Sequence, residues 1–254
     1  MPSSPFAPPD PLFSAAPSQR RVAFLFAQPF AHRGLHGPGA PENSRAAFRA
    51  AIAIGHGIEC DIQPAADGTP FVFHDDDLDR LTGERGPVAV RMPAALSAIA
   101  LTGGDESIPR LDEVLALVDG RVPMLIEIKA PDRHVAPLCQ AVRRALEGYR
   151  GAAAVMSFNP LVSRWFHDHE DRIVRGLVMT EEGRKGLLGG LVRRLALRRA
   201  RPDFLAYDIR DLPSRFAGRA RARGMPVLTW TVRSPAQRET AAASTDQIIY
   251  ERMP

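Results

Sequence analysis

Cysteine is nearly absent. Cys60 and Cys139 are the only two in 254 residues, too few for a disulfide framework and without the paired spacing of a zinc site. Lysine is as scarce: of 33 basic residues only Lys129 and Lys185 are lysine, which singles out Lys129 inside an apolar stretch. Neither sign of charge dominates, since 29 acidic residues leave a net charge of +4, and this gives no ground for expecting a nucleic-acid partner. No apolar run approaches the roughly 20 residues of a membrane-spanning helix. The first 20 residues lack a continuous apolar segment of the secretory kind, so no signal peptide is expected and a cytoplasmic, reducing setting is. No G-x-G-x-x-G opens a helix after the first strand pattern, which weakens a dinucleotide-binding reading.

What is present is a soluble composition, 45% hydrophobic and 24% charged, in a length that suits one large domain. Residues 1–20 are rich in Pro and Ser and read as a loose N-terminal arm. Short β-type runs then alternate with helical patterns over 21–254. Strands are expected at 30–32, 58–62, 71–73, 124–128, 154–158, 173–178, 204–207, 227–231 and 247–249. Helices are expected at 44–54, 111–118, 136–146, 161–168, 186–199, 214–223 and 235–243. The alternation predicts an α/β fold with a parallel sheet. About eight strand–helix units in roughly 250 residues favour a (β/α)8 TIM barrel over an open sheet. One stretch, 75–110, breaks the rhythm and reads as a small insertion over the barrel mouth.

The chemistry begins at Gly57–Asp61, GIECD. Side chains alternate along a strand, so Glu59 and Asp61 share one face and Cys60 the other. The run IEIK repeats the pattern, with Glu127 and Lys129 on one face. Buried carboxylates must neutralise or find a cation. One outcome is an internal salt-bridge layer; the other is a divalent-ion site, Mg²⁺ or Ca²⁺, since three acids outnumber Lys129. His32 and Arg33 end the first strand pattern, and His74 ends the run FVFH. Two histidines at strand ends can form an acid–base pair, and Arg33 offers a planar fork to a phosphate. Together these groups describe metal-assisted attack on an anionic, phosphate-like centre.

Several segments resemble the glycerophosphodiester phosphodiesterase family: AHRG (31–34), PENSRAAFRAAIAIGHGIECDI (41–62), DGTPFVFHDDDLDRLTG (67–83), IPRLDEVLAL (108–117), MLIEIK (124–129), SF (157–158) and LTWTV (228–232). The resemblance implies a (β/α)8 barrel that hydrolyses glycerophosphodiesters, such as glycerophosphocholine or glycerophosphoethanolamine, to glycerol 3-phosphate and an alcohol. It implies that Glu59, Asp61 and Glu127 ligate one divalent cation. His32 and His74 would be the general acid and base, Arg33 and Lys129 would hold phosphate oxygens, and Trp230 would contact the small-molecule phosphodiester substrate. Glu42 and Asn43 match a family turn, where a turn that caps the next helix is at least as good a reading as direct contact in the site. The sequence departs from the family after WTV, with Arg233 in place of Asn, and at the last strand, which runs Ile249-Tyr250-Glu251 instead of ending in Thr-Asp.

Other readings stay open. The chemistry could be that of a lysophospholipase D or a sphingomyelinase D-like enzyme, or the barrel could have lost catalysis and bind phosphodiesters. The basic stretch 184–201 (Arg184, Lys185, Arg193, Arg194, Arg198, Arg199, Arg201) carries Leu188, Leu191, Val192 and Leu195 at helical spacing. It is expected to be an outer helix with that stripe turned inward; a peripheral membrane contact is the alternative. His36 sits just past the HRG turn, within reach of the pocket. Oligomeric state is left open.

Overall fold

The protein is described from a computed structural model, over residues 17–183 and 186–252. Nine strands form one sheet: β1 Phe30–Ala31, β2 Gly57–Pro64, β3 Pro70–Val72, β4 Met124–Ile128, β5 Ala153–Ser157, β6 Val174–Met179, β7 Phe204–Asp208, β8 Val227–Val232 and β9 Gln247–Tyr250. Among the described residues ten helices accompany them: α1 Gln19–Val22, α2 Phe24–Ala27, α3 Arg45–Ala53, α4 Pro93–Ala98, α5 Leu111–Val118, α6 Ala136–Ala145, α7 Pro160–His169, α8 Gly186–Ala200, α9 Arg215–Ala222 and α10 Pro235–Ser244.

Eight strands are parallel neighbours in the order β1, β2, β4, β5, β6, β7, β8, β9, and β1 pairs with both β2 and β9, so the sheet closes on itself. This is the (β/α)8 TIM barrel expected from the strand–helix alternation. The run at 71–73, counted above among the strands, is not one of its staves. β3 pairs antiparallel with β2, as the short Asp67–Gly68 turn between them dictates. From β3 onward the chain builds a small apolar cluster of its own, with Phe71, Phe73, Leu78, Val88, Leu96, Leu101 and Ile108 all buried.

Two apolar layers hold the barrel. Ile58, Cys60, Ile126, Ile128 and Val155 point outward from the strands and meet Phe48, Val114, Leu115, Val142 and Phe166 of the helices. Burying each such side chain stabilises the fold by about 1.5–3 kcal/mol. Local signals set the helices: the Ser44 hydroxyl accepts from Ala47 N at the start of α3, and the Glu113 carboxylate accepts from Arg110 N at the start of α5.

The interior layer closes the N-terminal end of the barrel. Phe30, Leu125, Ala154, Val174, Phe204 and Leu228 stand near the beginnings of their strands, and Val22 and Leu25 of α1–α2 pack against them. Arg21 ties this plug down through Asp203 Oδ2 at 3.0 Å and the Ile173 carbonyl at 3.0 Å. Of the arm expected over 1–20, residues 1–16 lie outside the described residues.

Helix α8 departs from expectation. Its apolar stripe was expected to face the barrel, yet Leu187, Leu188, Leu191, Val192 and Leu195 are exposed, Leu187 at 95% and Leu188 at 80%. The inward side instead carries Gly189, Arg193, Leu197 and Ala200, at helical spacing. Arg193 turns toward Glu181 Oε2 at 3.1 Å on the face that packs Leu197 and Ala200 inward, opposite the exposed leucines. Arg184 and Lys185 of the same basic stretch lie outside the described residues.

Candidate active site

The opposite end of the barrel is built from charge. In β2, Glu59 and Asp61 point inward, while Ile58 and Cys60 join the outer apolar layer. The register sets Asp61 beside Glu127 and Ala31 beside Ile58. Arg33 follows β1 with φ 55°, and Gly34 continues the turn with φ 78°. A Cβ at Gly34 would stand 2.8 Å from the Ala47 Cβ, so only glycine allows α3 to pack against this turn. The turn delivers the Arg33 amide to Glu59 Oε2 at 2.9 Å.

Glu59, Asp61 and Glu127 each bring a carboxylate oxygen within 4.8 Å of the others, and all three are buried. Lys129 Nζ lies 2.6 Å from Glu127 Oε1 and 2.9 Å from Asp61 Oδ1. Arg33 Nε lies 3.3 Å from Asp61 Oδ2, a purely ionic contact, since the N–H is not aligned for a hydrogen bond. Asn43 holds Asp61 from the far side, donating from Nδ2 to Oδ2 at 3.0 Å. Burial would raise the Asp61 pKa, but Lys129 above all, then His74 and Arg33, hold it well below the ordinary carboxylate range. Burial drives Glu59 well up, and Asp61 and Glu127 push it further. Glu127 is raised mainly by burial, with Lys129 opposing.

Three carboxylates thus face two cationic side chains, and Glu59 Oε1 is buried without any hydrogen-bond partner. A buried orphan acceptor is costly unless something satisfies it. An all-oxygen donor set with one negative charge in excess fits a hard divalent cation. The cluster is therefore able to hold one.

Each histidine is gripped at Nδ1 by a carboxylate: His32 by Glu251 Oε1 at 2.8 Å, His74 by Asp75 Oδ1 at 2.6 Å. His32 Nε2 is 4.0 Å from Glu59 Oε2. Burial lowers the pKa of His32, partly offset by the Glu251 hydrogen bond. Burial also lowers His74, with Asp61 opposing. Asp75 is itself held down at about 2 by hydrogen bonds from Arg80. Arg80 also donates to Glu42, and Glu42 accepts from Arg33 Nη1 at 2.7 Å. One chain of ion pairs therefore runs from Arg33 to His74.

A cavity of ≈ 300 Å³ opens over these groups. Of the eight residues singled out in the sequence, His32, Arg33, Asp61, His74, Glu127, Lys129 and Trp230 line it, and Glu59 lies beneath. Trp230 meets Phe158 edge to face, with ring centroids 5.4 Å apart. Three further partners complete the site. For Asn43 the sequence left a turn or cap and direct contact side by side; Ser44 caps α3, and Asn43 binds Asp61. Asp75 carried a signal, the adjacent His-Asp pair. Glu251 stood out only as part of the departing last strand, and nothing in the sequence tied it to His32, 219 residues away.

Comparison with known proteins places these features in context. The model of the glycerophosphoryl diester phosphodiesterase family matches residues 32–253. A glycerophosphodiester phosphodiesterase of Bacillus altitudinis is 41% identical over 108 residues, 39% of this chain and 43% of that protein. Glycerophosphodiester phosphodiesterase 1 of Bos taurus is 28% identical over 183 residues, 66% of this chain and 55% of that protein. The chain thus spans about half the length of the curated relatives it matches. Among solved structures, an Oleispira antarctica phosphodiesterase in complex with the product sn-glycerol-3-phosphate superposes with a TM-score of 0.78 at 21% identity, over 90% of this chain and 94% of that one. A Thermotoga maritima glycerophosphodiester phosphodiesterase gives 0.70 at 23%, over 87% and 92%. At these identities the likeness is one of fold.

Proposed function

The chain belongs to the glycerophosphoryl diester phosphodiesterase family, and we propose that it hydrolyses glycerophosphodiesters to glycerol 3-phosphate and an alcohol. The observation that carries this reading is the single cavity in which a carboxylate trio, two cationic side chains and two histidines meet. Residues 21–254 act as one catalytic domain, with 75–110 an insertion beside the mouth.

In this reading Glu59, Asp61 and Glu127 hold one Mg²⁺ or Ca²⁺. The ion supplies charge neutralisation at the phosphodiester. Arg33 and Lys129 bind the phosphate oxygens, and burial of the site strengthens both contacts. Burial would lower the Lys129 pKa, but Asp61 and Glu127 raise it above its ordinary value, so the ammonium stays charged. One histidine takes the proton of the attacking oxygen and the other returns a proton to the departing alkoxide. Glu251 and Asp75 orient the two rings and favour the Nδ1–H tautomer, which leaves each Nε2 free for proton transfer. Trp230 and Phe158 give the substrate an apolar wall.

The test is release of glycerol 3-phosphate from glycerophosphocholine and glycerophosphoethanolamine, with Mg²⁺, with Ca²⁺ and with chelator, beside Glu59→Ala. Metal-dependent release that Glu59→Ala abolishes supports the proposal and identifies the ion. A folded, metal-binding protein that releases nothing from any diester overturns it in favour of a binding-only barrel.

A finer part of the proposal concerns delivery. The exposed leucines of α8, interspersed with Arg194, Arg198 and Arg199, favour contact with an anionic lipid surface and lysophospholipid substrates. Co-sedimentation with anionic vesicles that Leu188→Ser/Leu191→Ser removes would support it; equal sedimentation of both proteins would end it. No described helix is long and apolar enough to cross a membrane. A cytoplasmic setting belongs to the same proposal, supported by two free, buried thiols, and subcellular fractionation tests it.

A further inference from the structure

His32 has a second neighbourhood. Its Nε2 lies toward Glu59 of the carboxylate trio, its Nδ1 bonds Glu251, and His36 stands beside that pair. One ring nitrogen from each histidine and one Glu251 oxygen lie within 4.8 Å of one another. His36 Nε2 is buried and has no hydrogen-bond partner, although the residue as a whole is only half-buried. Nothing in the proposed hydrolysis uses it. An imidazole nitrogen stripped of water and left unpaired is a polar group without an evident occupation.

We infer that His32, His36 and Glu251 form a second cation site, nitrogen-rich and selective for a borderline metal such as Zn²⁺, whose occupancy switches off His32. The donor sets explain the selectivity. Three carboxylates suit Mg²⁺ or Ca²⁺, whereas two imidazoles and one carboxylate are a set that Zn²⁺ takes readily, with a fourth position left for water. His32 Nδ1 and Glu251 Oε1, at 2.8 Å, stand closer than two ligands of one ion, so small side-chain rotations must open that pair to admit the metal and bring the His36 nitrogen onto it. The residues can move: Glu251 is held from outside by Arg233, whose side chain is 56% exposed and can swing into water when a dication takes its place.

The effect on chemistry follows from the ring. With Zn²⁺ on Nδ1, the proton of the neutral imidazole sits on Nε2. That nitrogen then has no lone pair to accept a proton from an attacking oxygen, and the carboxylate that polarised the ring is diverted to the metal. The two sites use opposite nitrogens of one ring, so Zn²⁺ would inhibit without displacing Mg²⁺. This last step rests on the proposed hydrolysis; the binding site itself does not.

The experiment is calorimetric titration of Zn²⁺ into the whole protein under saturating Mg²⁺, for wild type, His36→Ala and Glu59→Gln, alongside Zn²⁺ inhibition of glycerol 3-phosphate release. The expected result is one Zn²⁺ per chain in wild type and in Glu59→Gln, with affinity lower by roughly tenfold or more in His36→Ala. The Zn²⁺ concentration for half-inhibition should rise by the same factor in His36→Ala, while its Zn²⁺-free activity stays at the wild-type level. Undiminished affinity in His36→Ala, or binding lost in Glu59→Gln instead, overturns the inference. So does inhibition that excess Mg²⁺ reverses competitively. Zn²⁺ binding that depends on His36 in a protein inactive on every diester upholds the site and sinks only the hydrolysis.

Discussion

The two ends of this barrel follow opposite rules. At the N-terminal end, Val22 and Leu25 plug an interior of Phe30, Leu125, Phe204 and Leu228, and a single arginine, Arg21, pins the plug from outside. At the C-terminal end β2 and β4 present Asp61, Glu127 and, just past β4, Lys129 to a cavity, with Glu59 beneath them. The floor lowers the free energy of the fold, whereas Glu59 and Glu127 at the rim work against it, because burial and neighbouring carboxylates disfavour their ionised forms. The contrast separates residues that keep the barrel closed from those that give it something to do.

Rim substitutions should therefore affect rate far more than stability. His74→Ala is expected to lower kcat by about 10²- to 10⁴-fold with little change in melting temperature, read by steady-state kinetics and thermal denaturation. A melting point that falls in step with the rate would break the comparison. The floor should behave in reverse. Leu25→Ala should destabilise by about 2–5 kcal/mol, measured by denaturant unfolding, and leave kcat unchanged below its transition.

Glu251→Gln lies between these extremes. Removing a carboxylate that stabilises the imidazolium lowers the His32 pKa further, so the acid limb of the kcat/KM profile should move to lower pH. In the wild type burial already lowers both histidines from the ordinary imidazole value, and that limb should lie on the acid side of it. The maximum rate of Glu251→Gln should fall by roughly tenfold, since the ring loses its orienting partner.

The smallest effect is on pH-dependent stability. The pKa of Glu59 is higher in the folded, metal-free protein than in the unfolded chain. The folded state then binds more protons, and this group's contribution to stability falls as pH rises above the ordinary carboxylate range. Mg²⁺ or Ca²⁺ should accordingly raise the melting temperature more at pH 8 than at pH 5, and Glu59→Gln should erase the difference. An equal shift at both values would mean that the carboxylates are not where the ion binds.

The rim was easier to read in the sequence than the floor. GIECD and IEIK alternate acids with apolar residues, and alternation alone decides which side chains face inward. That Asp61 stands beside Glu127 was not legible, because register between strands 66 residues apart depends on the whole barrel. Val22–Ala27 gave no periodic signal, since α1 and α2 are only four residues each and their role is set by what they cover. The helix pattern of α8 was legible, but its rotation was not. Periodicity reveals that a stripe exists, but which face of the helix packs depends on the tertiary contacts of Leu197 and Ala200.

The His32–Glu251 hydrogen bond also has a consequence in time. Its partners are separated by 219 residues, nearly the whole chain. A ribosome adding about 5–20 residues per second would expose His32 on the order of tens of seconds before Glu251. During that interval the ring lacks its carboxylate and β1 lacks its second neighbour, β9. A chain made as far as Glu127 therefore carries all three carboxylates of the trio but a His32 without its anchor, which comes only with the strand that closes the barrel.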